Sequence, residues 1–364
     1  MKKLSALIVA VCLTSLPAHA DITIGLAGPM TGSYAALGDQ PRRGVIEAIA
    51  DINAKGGVNG EKLVLDSEDD ACDPKQAVNV ANQFASKGIK FVVGHACSGS
   101  SIPAAKVYNE ENILMITPIS TNPALTDAGY KTIFRVCGRD DQQGVVQAKY
   151  ITKHFPTAKV AVIHDNSTAG RGQAEVIKKT LNEAGVKEAL FDVYTPGEHD
   201  YSSLVSKLKA ANIGVLAIGG YHTEAGLITR QIKQQGANIQ VIGGDALVTD
   251  EFWSITGPAG EGVLMSFEPD ARNTPEAKPV VEAFRKTGYE PEGYTLYGYA
   301  AVQAIVEGIK RAGTPDPIKV AAALRQAPMQ TVIGKIGFDA KGDVTGSSYV
   351  VYRWHDGKYA EVGE

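Results

Sequence analysis

The sequence lacks the short motifs that mark the common nucleotide-dependent and metal-dependent enzymes. Its 364 residues contain no Walker loop, no G-x-S-x-G elbow and no H-E-x-x-H helix, and Gly25, Gly28 and Gly32 lack dinucleotide-fingerprint spacing. The acidic run 68–70 lacks the pattern of a calcium loop, so we interpret it as a solvated strand end. The seven histidines are scattered, and we interpret those at strand ends, such as His95, as turn residues. We therefore predict no metal, no cofactor and no catalytic activity.

An apolar stretch long enough to span a bilayer, which needs roughly 20 residues, is also absent. The apolar segment 4–16 is shorter, follows a basic start and precedes the small-x-small cleavage signal Ala18–Ala20. This pattern predicts a signal peptide over residues 1–20, cleaved after Ala20, with export to the periplasm and no stable membrane insertion. Cys12 lies inside the apolar segment and follows a valine, so we do not interpret it as a lipid-attachment site.

Strong charge of either sign is absent as well. The formal net charge of −4 becomes −6 once the two lysines of the signal peptide are removed. Such weak acidity argues against nucleic acid or an anionic membrane surface as a partner. The 344 residues left of 364 after removal of 20 are many for a single hydrophobic core, so we expect two lobes.

Cysteine is scarce, since only Cys72, Cys97 and Cys137 remain after cleavage. An odd number in an oxidising compartment suggests one disulfide and one free thiol. Cys72 and Cys97 each follow a predicted strand in neighbouring strand–helix units, so we pair them and interpret Cys137 as a buried thiol. The alternative is that Cys97 is a catalytic nucleophile, but the sequence supplies no recognisable general base for it.

What the sequence does contain is a regular alternation of short apolar strands with amphipathic helices. One series occupies residues 22–136 and a second begins near Asp140, which predicts an α/β protein with two parallel sheets. In detail, we place Pro41 in the first turn of a helix. We also place the serine-rich segment 98–101 in a turn that precedes a helix over 102–110.

The segment 94–121 holds the main candidate for a binding site. Two predicted strands end within it, and polar residues that include Ser98 and Thr121 follow those ends. Hydroxyl groups and free helix amides at the carboxyl ends of parallel strands form a site suited to an anion. Asp245 follows another strand and is a candidate partner for a cation, or alternatively a cap for the helical segment 249–253.

Three segments closely resemble the periplasmic leucine/isoleucine/valine-binding protein family. They are DINAKGG at 51–57, DDACDPKQAV at 69–78 and GGYH at 219–222, and the similarity extends over about residues 22–354. The resemblance implies the type I periplasmic binding fold, with two doubly wound parallel-sheet lobes joined by three crossover segments. The first lobe would comprise residues 21–138 plus 269–347, and the second lobe 139–268 plus 348–364. It also matches the disulfide pairing inferred above.

The resemblance also implies the roles of individual residues. Ser98 and Thr121 would bind the α-carboxylate of an amino acid, while the carbonyl of Ile119 and the hydroxyl of Thr121 would help to hold its α-ammonium. Tyr221 and Asp245 would complete the clamp from the second lobe. Further residues that would line the pocket are Leu37, Cys97, Ala169 and Tyr294.

The implied function is that of the substrate-binding component of an ATP-driven (ABC) amino-acid importer, a monomer that delivers its ligand to a membrane permease. The leucine-type proteins have glutamate where this chain has Asp245, and tyrosine where it has Leu37 and Ala169. These departures reshape the side-chain pocket and leave an amide, a urea-type compound or a γ-amino acid as alternative ligands. From another class, an exported hydrolase that uses Cys97 or Ser98 is the remaining alternative.

Overall fold

The structure, a computed structural model, describes residues 21–363. The predicted signal peptide and its Cys12 lie outside the described residues. Within the described range, no helix combines the length and the apolar character needed to cross a membrane.

The chain begins with a sheet flanked by helices, which we call the first lobe. Its strands are β1 (Ile22–Gly28), β2 (Leu63–Asp69), β3 (Phe91–Val93), β4 (Leu114–Thr117) and β5 (Ile133–Arg135). Its first helices are α1 (Ala35–Ala54), α2 (Pro74–Ser86), α3 (Ser98–Glu110) and α4 (Ala124–Asp127). The strand order is β2-β1-β3-β4-β5, and all neighbouring strands are parallel.

The next part of the chain forms most of the second lobe. Its strands are β6 (Val160–His164), β7 (Leu190–Val193), β8 (Val215–Gly219), β9 (Gln240–Gly243) and β10 (Leu264–Phe267). Its helices are α5 (Asp140–His154), α6 (Thr168–Glu183), α7 (Ser202–Ala210), α8 (His222–Gln234) and α9 (Asp250–Thr256). The predicted alternation of strands and helices is therefore confirmed.

The chain then returns to the first lobe and ends in the second. The returning elements are α10 (Lys278–Lys286), α11 (Thr295–Ala312), α12 (Pro317–Leu324), β11 (Met329–Thr331), β12 (Gly334–Phe338) and β13 (Val344–Thr345). The last strands, β14 (Val350–His355) and β15 (Lys358–Glu361), complete a seven-stranded sheet of order β15-β14-β10-β9-β8-β6-β7. Only the pairs that involve β14 are antiparallel in this sheet.

Two local predictions are wrong, and tertiary packing explains both. Pro41 lies inside α1, because α1 packs closely against α11: a Cβ on Gly298 would lie 2.4 Å from the carbonyl oxygen of Pro41. The serine-rich segment 98–101 is the first turn of α3 and not a separate turn. Its serines are buried, and Ser101 donates a hydrogen bond to the carbonyl of His95 at 3.1 Å, so its hydroxyl does not compete for the helix backbone.

The interpretation of residues 68–70 as a solvated strand end is wrong for Asp70. This residue is fully buried and its carboxylate lies 2.5 Å from Nδ1 of His95, which is also fully buried. The other ring nitrogen of His95 lies 2.9 Å from the hydroxyl of Tyr108. His95 is therefore a core residue that links β2 to α3, and not an exposed turn residue.

The disulfide between Cys72 and Cys97 is present, with their Cα atoms 5.5 Å apart. It joins the loop after β2 to the residue that precedes α3. Cys137 is a buried free thiol, as predicted, and burial raises its pKa.

The chain passes between the two lobes three times, within residues 136–139, 268–270 and 346–349. Glu268 is a buried acid at this junction. Its Oε1 accepts a hydrogen bond from the backbone nitrogen of Gly138 at 2.6 Å, whereas its Oε2 has no partner among the described residues. Burial raises the pKa of Glu268 to about 8; the hydrogen bond from Gly138 opposes this shift, and the nearby charge of Asp245 adds to it.

Replacement of Glu268 by glutamine is expected to flatten the pH dependence of stability. The folded protein holds the proton of this carboxyl group up to about pH 8, whereas a glutamate with the ordinary pKa of 4.5 has already lost it. Unfolding therefore releases a proton in this window, and the free energy of unfolding falls by up to about 1.4 kcal/mol per pH unit as the pH rises. Glutamine keeps the acceptor for Gly138 but does not ionise.

Urea unfolding between about pH 5 and pH 8 measures this slope. Glu282→Gln, on the exposed face of α10, is the matched control and should keep the slope of the natural protein. Equal slopes for Glu268→Gln and the natural protein would contradict the assignment.

Removal of the disulfide is expected to lower stability without a change of fold. The bridge closes a loop with a sequence separation of 25, for which the chain-entropy model gives about 3 kcal/mol. The double variant Cys72→Ser, Cys97→Ser should therefore unfold at lower denaturant concentration than the oxidised natural protein. Reductant should destabilise the natural protein and leave the variant unchanged; an equal effect on both would show that the bridge is not responsible.

Candidate functional site

A cavity of about 380 Å³ lies between the two lobes. Most of its lining residues follow the carboxyl end of a parallel strand, where open α/β sheets bind ligands. The lining residues are Leu37, Ala96, Ser98, Ile119, Thr121, Asp140, Ala169, Gly170, Gln173, Gly220, Tyr221, Asp245 and Ala246.

The first-lobe wall presents polar groups suited to an anion. Ser98 is the first residue of α3; the backbone nitrogens of Ser100 and Ser101 donate to the carbonyl of Cys97, whereas those of Ser98 and Gly99 have no acceptor among the described residues. Thr121 lies beyond the end of β4, next to Asn122, whose backbone nitrogen donates to the hydroxyl of Ser98 at 3.3 Å. The two loops that carry Ser98 and Thr121 are thus joined directly to each other.

The same wall is held in place by hydrogen bonds inside the first lobe. The hydroxyl of Thr117 donates to the carbonyl of His95 at 2.7 Å and accepts from the backbone nitrogen of Ser120 at 3.0 Å. The hydroxyl of Ser120 in turn donates to the carbonyl of Ala96 at 2.9 Å. All three of these bonds lie within the first lobe.

The second-lobe wall contains Tyr221, which follows β8. It is preceded by Gly220, whose φ of +140° and close surroundings require glycine: a Cβ there would lie 2.1 Å from the hydroxyl oxygen of Tyr194. The ring of Tyr221 packs against that of Tyr34 from the first lobe, with ring centroids 4.5 Å apart. No described residue forms a hydrogen bond with the Tyr221 hydroxyl.

Asp245 supplies negative charge to the second-lobe wall. The cap of α9 is Thr249, whose hydroxyl accepts from the backbone nitrogen of Glu251 at 3.3 Å, so the alternative interpretation of Asp245 as this cap is wrong. The hydroxyl of Tyr294, in the first lobe, donates a hydrogen bond to the carboxylate of Asp245. Burial raises the pKa of Asp245, although hydrogen bonds from Tyr294 and Gln143 lower it in part.

Asp140 is a second acidic group in the cavity, and sequence reasoning missed its role. We predicted only that a helix begins near it; the signal that was available is an acidic residue directly after a crossing between lobes. Its backbone nitrogen donates to the carbonyl of Thr121 at 3.0 Å, and its Oδ2 has no partner among the described residues. Burial raises the pKa of Asp140 to about 7, and the charge of Asp245 adds to this shift, whereas a hydrogen bond from the Thr121 side chain opposes it.

The structure brings most of the predicted site residues together. Ser98, Ile119, Thr121, Tyr221 and Asp245 all line the cavity, as do Leu37 and Ala169. Cys97 and Tyr294 are not among the lining residues. Cys97 is bonded to Cys72, and Tyr294 stands behind Asp245.

The lobes are in direct contact around the cavity. Besides the hydrogen bond between Tyr294 and Asp245, the ring of Tyr34 packs on that of Tyr221. Three side chains also donate hydrogen bonds to backbone carbonyls of the other lobe: Thr223 to Ser33 (2.9 Å), Asn122 to Thr168 (2.9 Å) and Gln40 to Val248 (3.1 Å). The structure therefore corresponds to a closed arrangement of the lobes.

The arrangement suits binding better than catalysis. With Cys97 held in a disulfide, the thiol that a cysteine hydrolase needs is absent, and no histidine is among the residues that line the cavity. One wall offers hydroxyls and amides, the other offers Asp140 and Asp245, and no lining residue carries a positive charge. A molecule with an anionic end and a cationic end complements these two walls.

Known proteins resemble this chain over nearly its whole length. Residues 21–358 match the family described as periplasmic binding protein. The chain is 48% identical over 368 aligned residues, 99% of each protein, to the Leu/Ile/Val-binding protein homolog 2 of Brucella abortus (strain 2308).

Two solved structures share the fold. The leucine binding protein LivK of Thermotoga maritima superposes with a TM-score of 0.87 at 28% identity, over 94% of this chain and 98% of that one. An ABC transporter substrate-binding protein of Desulfitobacterium hafniense, in complex with Leu, superposes with a TM-score of 0.78 at 29% identity, over 94% of this chain and 100% of that one.

Proposed function

Because the chain belongs to the periplasmic binding protein family, we propose that it is the substrate-binding component of an ABC amino-acid importer. The leucine/isoleucine/valine-binding members of this family are transport proteins and not enzymes. Its ligand is a branched-chain or other small α-amino acid, bound between the two lobes. The observation that carries this proposal is the opposed chemistry of the two cavity walls, because a zwitterion carries a negative and a positive group that complement them.

The first-lobe wall takes the α-carboxylate. The free amides at the start of α3, the hydroxyl of Ser98 and the polar groups of Thr121 are donors to this anion, and the direction of the helix dipole favours negative charge there. The hydroxyl of Tyr221, which has no bonding partner among the described residues, is a further donor from the second lobe.

The second-lobe wall takes the α-ammonium. Asp245 and Asp140 face the cavity together, and their mutual repulsion in a buried site contributes to the raised pKa of Asp140. A ligand ammonium relieves this repulsion and donates charge-assisted hydrogen bonds to both carboxylates. The carbonyl of Ile119 adds a neutral acceptor from the opposite wall.

Lobe closure follows because the two lobes bind opposite ends of the same ligand. The lobes move as residues 21–138 plus 269–347 and 139–268 plus 348–364, after the signal peptide has been removed beyond Ala20 in the periplasm. A ligand that contacts both lobes stabilises the closed arrangement over the open one, which is a population shift. The closed monomer then docks on its membrane permease.

The remaining lining residues select the side chain. Leu37, Ala96, Ala169 and Ala246 supply aliphatic surface without a hydrogen-bonding group. An apolar, aliphatic side chain matches this surface, whereas a charged one would be left without a counter-ion. This supports Leu, Ile, Val or a smaller aliphatic amino acid.

A thermal-shift panel tests the proposed function. The twenty amino acids, γ-aminobutyrate and short amides are added to the protein purified without ligand, and small aliphatic α-amino acids are expected to raise the melting temperature. A ligand at 100 times its Kd adds about 2.7 kcal/mol to stability. A shift with γ-aminobutyrate or an amide alone would replace the α-amino acid by that ligand class, and no shift with any compound would contradict the proposal.

Asp245→Asn is expected to weaken binding of the best amino acid at least about tenfold, or about 1.4 kcal/mol, because the α-ammonium loses a carboxylate partner. Asparagine keeps the size of the side chain and an oxygen that accepts from Tyr294. The matched control is Asp250→Asn, which removes an exposed carboxylate five positions further along, outside the cavity. Calorimetry that gives equal affinities for Asp245→Asn and the control would remove Asp245 from the site.

A further inference from the structure

Arg135 is a fully buried guanidinium next to the cavity wall, and it does not line the cavity. It is the last residue of β5. Its Nη1 donates to the carbonyl of Ser120 at 2.6 Å and its Nη2 donates to the carbonyl of Asn122 at 2.9 Å. These two carbonyls flank Thr121, so the arginine grips the segment on both sides of a cavity-lining residue.

The grip on Ser120 sets the direction of the Thr121 amide. In a trans peptide the C=O and the following N–H point in opposite directions. The bond between Ser120 and Thr121 is trans, because the only cis peptide among the described residues joins Gly94 and His95. The N–H of Thr121 therefore points away from Arg135.

The next carbonyl is held as well, so the segment has little freedom to turn. The carbonyl of Thr121 accepts from the backbone nitrogen of Asp140 at 3.0 Å. Three consecutive carbonyls, from Ser120 to Asn122, are thus bonded to protein donors. The Thr121 N–H has no protein acceptor among the described residues and is left for a ligand.

Arg135 is itself anchored from a distant part of the chain. Its Nε donates to Oδ1 of Asp343 at 2.7 Å, and its Nη2 also donates to the hydroxyl of Thr126 at 2.8 Å. The other oxygen of Asp343 accepts from Nη1 of Arg139 at 2.7 Å. Asp343 shortly precedes the third crossing between the lobes and Arg139 lies in the first, so the ligand wall is tied to both.

We propose that Arg135 is a positioning residue for recognition of the α-carboxylate, and that it acts through the Thr121 amide without contact with the ligand. A cation behind the Ser120–Thr121 peptide also polarises it, which strengthens the N–H as a donor to an anion. The inference rests on the proposed function, since it needs a ligand that carries a carboxylate. Arg135 is thus a residue of the recognition site although it does not line the cavity.

Replacement of Arg135 by lysine distinguishes the positioning of the two carbonyls from the effect of the positive charge. Arg135→Lys keeps a positive charge for Asp343 but loses the planar fork that holds two carbonyls at once. Arg139→Lys is the matched control, because Arg139 shares Asp343 but bonds to no carbonyl of the segment 119–122. Each variant is first checked for a cooperative melt and a circular dichroism spectrum like that of the natural protein.

The readout is calorimetric affinity for two ligands, the best-binding amino acid and its primary amide, which lacks the negative charge. Arg135→Lys is expected to weaken amino-acid binding at least about tenfold and amide binding less than about threefold. Arg139→Lys is expected to change both by less than about threefold. A merely structural defect would weaken both ligands alike.

Each outcome decides the matter. Equal losses for the amino acid and its amide in Arg135→Lys, or no loss, would overturn the inference. If Arg135→Lys does not fold, Asp343→Asn takes its place, because it removes the carboxylate that anchors the guanidinium. This variant must likewise weaken binding of the amino acid more than binding of its amide. A natural protein that binds no amino acid would overturn the proposed function and this inference together, whereas unselective loss in the variant overturns this inference alone.

Discussion

The constraint on which the site depends is uncompensated negative charge in a closed cavity. Asp140 and Asp245 both face it, no lining residue is cationic, and the charge of Asp245 contributes to the raised pKa of the buried carboxyl of Glu268. Burial of unpaired carboxylates is unfavourable unless they take up protons or find a cation. The raised pKa values of these groups reflect the first way, proton uptake, and a ligand ammonium would supply the second, a cation. A cationic group on the ligand would therefore compensate negative charge that no lining residue compensates.

The two walls of the cavity differ in how they are assembled. The bonds of Thr117, Ser120 and Arg135 that hold the first-lobe wall lie within the first lobe. The carboxylate of Asp245, in contrast, receives the hydroxyl of Tyr294 from the other lobe. Contact between the lobes therefore contributes directly to the arrangement of the acidic wall.

Sequence patterns predicted the parts of the site that depend on local order. Ser98, Thr121 and Asp245 were found because they follow strands, and parallel strands bring their carboxyl ends to one edge; Ile119 and Tyr221 came from the family resemblance. Asp140 was missed because it follows a crossing between lobes, so its place depends on how the lobes are arranged. The start of α3 at Ser98 was missed because Ser101 donates to the carbonyl of His95 and Ser98 accepts from the backbone nitrogen of Asn122, tertiary bonds that local propensity does not contain. Tyr294 could be named but not placed behind Asp245, for the same reason.

The distribution of roles explains how the chain can resemble leucine-type proteins and still differ in ligand. The proposed clamp for a zwitterion uses helix amides, backbone groups and carboxylates that are fixed by the sheets and by Arg135. In the proposed complex the side chain of the ligand would meet Leu37 and Ala169, which lie on α1 and α6 and take no part in the hydrogen bonds of the clamp. Substitution at these two positions changes the volume and shape of the cavity without disturbing the polar groups. Selectivity among aliphatic side chains can therefore vary while recognition of the α-amino acid group is retained.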